Sequence, residues 1–195
     1  MPFKRQENVF DGKVCVEPRL SCWYGEHSYS YNPLLKHEAT AIDKWPSILK
    51  QILSQIKTDP NVKQLFPSIN LNSVLCNLYR NGLTNDFIIA VYCQKRFYGP
   101  INRTCKDKMG WHGDNEPELG PQPVIVSLSF GEKRRFQLKR KTAEEDLPEY
   151  QMTLFPGSLM IMYGRLQDDW RHRVPAEYHD RDERINLTFR YVHPR

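Results

Sequence analysis

The strictest demand on how this chain folds comes from a histidine and an aspartate two residues apart. They sit in the run Trp111-His112-Gly113-Asp114-Asn115-Glu116-Pro117-Glu118-Leu119-Gly120. On an extended segment, side chains two positions apart point the same way, so the imidazole and the carboxylate stand side by side. Such a pair supplies two legs of a facial metal site and requires a third from a distant part of the chain. His172, in Trp170-Arg171-His172-Arg173-Val174-Pro175, is the best candidate. Two histidines and one carboxylate leave open positions on one face of a metal, as non-haem Fe(II) centres require. Alone, His-x-Asp is a weak signal: the chain has six histidines, and such pairs are commonly surface contacts.

The tail of the chain strengthens it. Arg184-Ile185-Asn186-Leu187-Thr188-Phe189-Arg190 alternates strictly, with Arg184, Asn186, Thr188 and Arg190 on one face and Ile185, Leu187 and Phe189 on the other. If the polar face points into a pocket, two arginines and an amide can grip a small dicarboxylate by charge-assisted bonds. If it points outward, the segment is an edge strand with a solvated basic face. The preceding His-x-Asp and His172 favour the pocket.

A chain of 195 residues with 39% hydrophobic content forms one globular domain with a sizeable core. The net charge of +5 permits nucleic-acid binding without demonstrating it. Five cysteines, with no Cys-x-x-Cys pair, indicate neither a zinc site nor a disulfide frame, so reduced intracellular thiols are expected. No N-terminal apolar run suits a signal peptide and no stretch would span a bilayer, which points to a nuclear or cytoplasmic monomer.

Residues 1–13 are polar and read as a disordered segment preceding one domain over 14–195. From Val14 to Tyr31 aromatic residues crowd together, and Tyr29 and Tyr31 share a strand face. That run is either a wall of rings for a base and its phosphate or a packed β-hairpin. Trp45-Pro46 opens a helix whose apolar positions are Trp45, Ile48, Leu49, Ile52, Leu53 and Ile56, ending near Asp59-Pro60. Strands are predicted over 72–79, 124–130, 135–138, 150–154, 159–163 and 185–191. Many short strands with one flanking helix make a mostly β double-sheet jelly roll. Arg19, Arg103, Lys133, Arg134 and Arg135 are candidate phosphate contacts.

These motifs resemble a known family, the AlkB-like Fe(II)/2-oxoglutarate-dependent dioxygenases, and within it the branch favouring single-stranded substrates. The similarity runs from about Pro18 to Tyr191. It rests on Pro18-Arg19-Leu20, Trp23-Tyr24-Gly25-Glu26, Asn77-Leu78-Tyr79-Arg80-Asn81 and Trp111 to Pro117. Ser127-Leu128-Ser129-Phe130-Gly131, His172-Arg173-Val174-Pro175 and Arg184-x-Asn186-Leu187-Thr188-Phe189-Arg190 complete it.

The resemblance implies the double-stranded β-helix of 2-oxoglutarate oxygenases, with Fe(II) held by His112, Asp114 and His172. Asn77, Tyr79, Arg184, Asn186 and Arg190 would hold 2-oxoglutarate, Arg184 taking its distal carboxylate, and O₂ would be the oxidant. Trp23, Tyr29, Tyr31 and Glu116 would face the substrate. The implied activity is oxidative demethylation of 1-methyladenine and 3-methylcytosine in single-stranded DNA or RNA, releasing succinate, CO₂ and formaldehyde. A protein hydroxylase on the same scaffold and a catalytically impaired nucleic-acid binder remain alternatives. Two departures from the family pattern stand out. By that pattern residues 83–105 form an insertion without counterpart, and the helices and strand that normally precede Pro18 and back one sheet are expected to be missing, leaving that sheet face bare or covered by the insert.

Overall fold

Period-two alternation produces a sheet with two different faces, and the alternating tail is the clearest case. The structure is a computed structural model describing residues 1–10, 13–32, 35–80, 107–143, 147–177 and 182–194. Its large sheet has six strands in the order β1 (Lys4–Phe10), β2 (Lys13–Gly25), β5 (Ser73–Tyr79), β12 (Arg184–Arg190), β7 (Ile125–Gly131) and β10 (Leu159–Met162). The small sheet has four, in the order β6 (Met109–His112), β11 (Trp170–Val174), β8 (Arg134–Arg140) and β9 (Tyr150–Leu154). All pairs are antiparallel. A separate ribbon joins β3 (Tyr29–Asn32) to β4 (Leu35–His37).

The two sheets pack face to face through Tyr79, Ile125 and Met162 on one side and Phe136, Leu154 and Val174 on the other. This is the jelly-roll arrangement expected from the strand pattern. On the opposite face of the large sheet, Cys76, Val126, Leu187 and Phe189 receive Leu49, Leu53 and Ile56 of α1 (Ser47–Thr58), with Trp45 and Val62 alongside. Each such aliphatic side chain, fully buried, contributes about 1.5–3 kcal/mol. Strand β12 therefore turns its apolar residues to the helix and its polar residues to the interior between the sheets. Gly131 ends β7 with φ +77° against the backbone of Glu183, where a side chain would collide.

Several expectations need correction. Residues 4–10 are not disordered; they form the edge strand β1, with Phe10 registered opposite Lys13. The outer face of the large sheet is not bare, because α1 and α2 (Pro60–Leu65) cover it. Asp59-Pro60 begins α2 as well as ending α1: the Asp59 carboxylate accepts from Asn61 N (2.9 Å) and Val62 N (3.0 Å). A short α3 (Leu166–Asp169) makes a third helix among the described residues. Ile48 is half exposed, since the buried stripe runs through Leu49, Leu53 and Ile56 instead. The aromatic run is no single hairpin, since β2 joins the large sheet and β3 joins the ribbon. The insertion at 83–105 lies outside the described residues. No helix among the described residues is long and apolar enough to cross a membrane.

Candidate metal and co-substrate site

His112 closes the edge strand β6, and its register partner on β11 is His172. Cross-strand neighbours lie close enough for their side chains to meet, and the two ring centroids are 4.2 Å apart. Asp114 is not on a strand with His112, as the sequence suggested. It sits in the loop after β6, and its carboxylate turns back between the rings. His112 Nε2 lies 3.9 Å from Asp114 Oδ1 and His172 Nε2 lies 3.7 Å from Asp114 Oδ2. One ligand atom from each residue falls within 4.8 Å of the others.

The donor chemistry suits a divalent metal. His112 Nδ1 lies 2.8 Å from the Gly110 carbonyl, which can only accept, so the proton sits on Nδ1 and the Nε2 lone pair faces the centre. Burial lowers His112 from its ordinary value, and burial with His112 nearby lowers His172 to about 3. Both imidazoles are thereby neutral ligands. Burial works against an ionised Asp114, but Arg190, His172 and His112 outweigh it and hold the carboxyl well below the usual range. Arg190 Nη2 donates to Asp114 Oδ1 at 3.0 Å, with both side chains 2% exposed. Gln167 Oε1 accepts the Asp114 backbone N–H at 2.9 Å.

Beside the three ligand residues, the polar face of β12 forms the floor of the site. Arg184 is 1% exposed; its Nη2 donates to Ser129 Oγ (2.9 Å) and Asn186 Oδ1 (2.7 Å). Its Nε and Nη1 close no hydrogen bond of standard geometry among the described residues. The guanidinium lies 5.1 Å from the centre of the Tyr79 ring. Burial lowers Arg184 from the ordinary arginine value, while Tyr79 beside it works the other way. Donors left open on a buried cation are costly, and a carboxylate would satisfy them. Asn186 accepts from Ser127 Oγ (3.0 Å) and donates to Thr188 Oγ1 (2.7 Å). Asn77 accepts from Arg19 Nε at 3.0 Å. Thus Asn77, Tyr79, Arg184, Asn186 and Arg190 line one cleft with His112, Asp114 and His172.

The aromatic residues are arranged differently from an open lid. Trp23 and Tyr29 stack at 4.7 Å and 14°, buried with Leu75, Leu119 and Val192. Arg190 lies 5.9 Å from the Tyr29 ring, and Glu116 is half buried near the Tyr29 hydroxyl without closing a standard hydrogen bond. Burial and Asp114 raise Glu116. His37, which the sequence did not single out, stacks on Trp23 at 5.5 Å. The backbone of Tyr31 is in β3, but its side chain lies outside those described. Arg19 and Arg134 are buried, so neither is a surface phosphate contact, and Arg135 pairs with Glu177 at 3.0 Å. Arg103 lies outside the described residues. Sequence reasoning missed Gln167, and it named Ser127 and Ser129 only within a motif without assigning them contacts to Asn186 and Arg184. A groove of about 420 Å³, lined by residues 65–70, Leu119, residues 121–124, Tyr191 and His193, lies apart from this chemistry.

A jelly roll whose cleft gathers two histidines, a loop aspartate and a buried arginine has the donor set and open face of a non-haem Fe(II) site. The model of the 2OG-Fe(II) oxygenase superfamily matches residues 2–190, and the chain belongs to that family. The AlkB resemblance is also borne out. Over its full length the chain is 38% identical to alpha-ketoglutarate-dependent dioxygenase alkB homolog 3 of Bos taurus and 36% identical to that of Homo sapiens. It spans 58% of the length of each of those relatives. It is 29% identical to DNA oxidative demethylase ALKBH2 of Arabidopsis thaliana, over 98% of this chain and 59% of that one. The solved structure of OsALKBH1 shares the fold with a TM-score of 0.53 at 17% identity, covering 89% of this chain and 78% of that chain. Fe(II), 2-oxoglutarate and O₂ are the family's cofactor and co-substrates.

The depressed imidazoles make the metal-free protein acid-sensitive. His172 titrates at about 3 when folded and near 6.5 when unfolded, so between those values the unfolded chain holds more protons. Stability therefore rises with pH across that window, by roughly a few kcal/mol in all. Asp114 acts in the same sense below its unfolded value of 3.8, while the raised Glu116 opposes both. The thermal midpoint of metal-free protein should fall from pH 7 to pH 4, and His172→Gln should flatten the slope. An equal slope in that variant would contradict the assignment.

Proposed function

We propose that this chain is an Fe(II)/2-oxoglutarate-dependent dioxygenase domain that demethylates 1-methyladenine and 3-methylcytosine in single-stranded DNA or RNA, in the nucleus or cytoplasm. The observation that carries the reading is a fully buried Arg184 with open donors, sharing one cleft with the His112, Asp114 and His172 ligand set. His112, Asp114 and His172 would hold Fe(II). Arg184 would take the distal carboxylate of 2-oxoglutarate, with Tyr79, Asn77 and Asn186 along its length and Arg190 steadying Asp114.

Fe(II), O₂ and 2-oxoglutarate supply the oxidising power: the co-substrate becomes succinate and CO₂, and an N-methyl group is hydroxylated and lost as formaldehyde. The protein orients the co-substrate before oxygen arrives and keeps the cleft dry. Both substrate rings are cationic when methylated, and Glu116, half buried near Asp114, would supply a carboxylate to meet that charge. Trp23 and Tyr29, stacked on each other and buried, would back Glu116 from behind rather than meet the base directly. A single strand releases a base more cheaply than a duplex. The names of the relatives, a dioxygenase and a DNA oxidative demethylase, support the same reading.

The test offers the protein, with Fe(II) and 2-oxoglutarate, a single-stranded oligonucleotide carrying 1-methyladenine, its duplex form and a set of peptides. Formaldehyde equal to succinate with the methylated single strand is expected. Succinate coupled instead to peptide hydroxylation would replace this reading with the protein-hydroxylase one.

A further inference from the structure

Asp114 lies in a loop, and its backbone is held by one buried side chain. Gln167 is 0% exposed, and its Oε1 accepts the Asp114 N–H at 2.9 Å. Among the described residues its Nε2 faces only the weak acceptor Met162 Sδ at 3.7 Å, so the bond to Asp114 is the amide's strong one. The Gln167 carbonyl is itself fixed, accepting from Lys141 Nζ at 2.8 Å. Close packing continues at Gly113, where a side-chain carbon would lie 3.4 Å from the Gln167 carbonyl oxygen and 3.6 Å from that of Trp170. A buried amide costs free energy unless bonded, and a leucine would fill the same space without that demand.

The position of Gln167 in the chain gives the bond its consequence. Helix α3 runs directly into β11, the strand that delivers His172. One side chain thus ties the backbone of the carboxylate ligand residue to the segment carrying an imidazole ligand residue. We propose that Gln167 is a positioning residue of the metal centre, setting the placement of the Asp114 carboxylate relative to His172 and thereby the affinity for a divalent cation. The proposal rests on the metal reading above and adds a residue to it. Groups that orient metal ligands in this way typically change affinity about 10–100-fold when removed.

The experiment uses Co(II), which reports its ligand geometry by visible absorption. Wild type, Gln167→Leu, Gln167→Glu and the remote core variant Leu53→Ala are titrated, and each thermal midpoint is recorded without metal. Gln167→Leu is expected to weaken Co(II) binding at least about tenfold, to shift the Co(II) spectrum, and to speed hydrogen exchange at the Asp114 amide. Gln167→Glu keeps an acceptor and should recover most of the affinity. Leu53→Ala should lower the midpoint while leaving affinity and spectrum alone. Wild-type affinity and spectrum in Gln167→Leu would overturn the proposal. So would a loss matched by an equally destabilised Leu53→Ala. A wild-type protein that binds no Co(II) would overturn the metal reading, and this assignment with it.

Discussion

Replacing Asp114 with alanine is expected to abolish 2-oxoglutarate-dependent turnover. Two imidazoles remain, and three ligands are the least that hold iron while leaving an open face. The change also removes the acceptor for Arg190 Nη2, leaving an arginine that is 2% exposed without its carboxylate. Breaking a buried pair from one side costs about 3–5 kcal/mol, so the alanine variant should also be less stable. Asp114→Asn separates the two effects. Its amide oxygen can still accept from Arg190, but it is a poor metal ligand, so activity should vanish while the thermal midpoint changes less. His112→Ala and His172→Ala should be inactive without exposing Arg190. Robust succinate formation by the Asp114→Ala protein would sink the ligand assignment.

Arg184 should govern affinity for the co-substrate. Lysine keeps the charge but loses the planar fork that meets a carboxylate with two donors. A charge-assisted hydrogen bond contributes about 1.5–3 kcal/mol, so the KM for 2-oxoglutarate should rise roughly ten- to hundredfold in Arg184→Lys. It should rise further in Arg184→Met. The same Met variant should be at least as stable as wild type when no co-substrate is present, because it removes a buried cation with open donors. Steady-state kinetics and melting of the ligand-free protein check the two halves separately. An unchanged KM in Arg184→Met, with a raised KM in Arg190→Met, would mean that the two arginines exchange roles.

Much of this site was legible because β12 obeys a period of two. Arg184, Asn186, Thr188 and Arg190 share a face in the sequence, and that face is the one between the sheets. His172 was legible as the third ligand residue, but the register that sets it opposite His112 was not. It depends on β6 and β11 becoming neighbours, a long-range register that no local pattern encodes. Gln167 was invisible for a similar reason, since an amide in a short polar turn reads as solvated until tertiary packing closes over it. Strand β1 was misread because Lys4 to Phe10 is polar, and edge strands tolerate such residues. Helix α2 carried its signal in Asp59-Pro60, a capping residue followed by a first-turn proline, but the pair was read only as an exit. The aromatic run that includes Trp23 and Tyr29 left two readings open, a wall of rings and a packed β-hairpin; the structure forms no single hairpin there. The burial of these two rings with Leu75 and Leu119 shows the packing.

Fe(II) and 2-oxoglutarate are expected to bind together in one cleft, through His112, Asp114 and His172 on one side and Arg184 on the other. Anaerobic titration with both, followed by visible charge-transfer absorption, tests it most directly. A band that needs metal and keto acid together, saturating at one equivalent of each, is expected. It should be lost in His172→Ala, and in Arg184→Met should return only at much higher 2-oxoglutarate. A band that survives in His172→Ala, or no band in the wild-type protein, would contradict it.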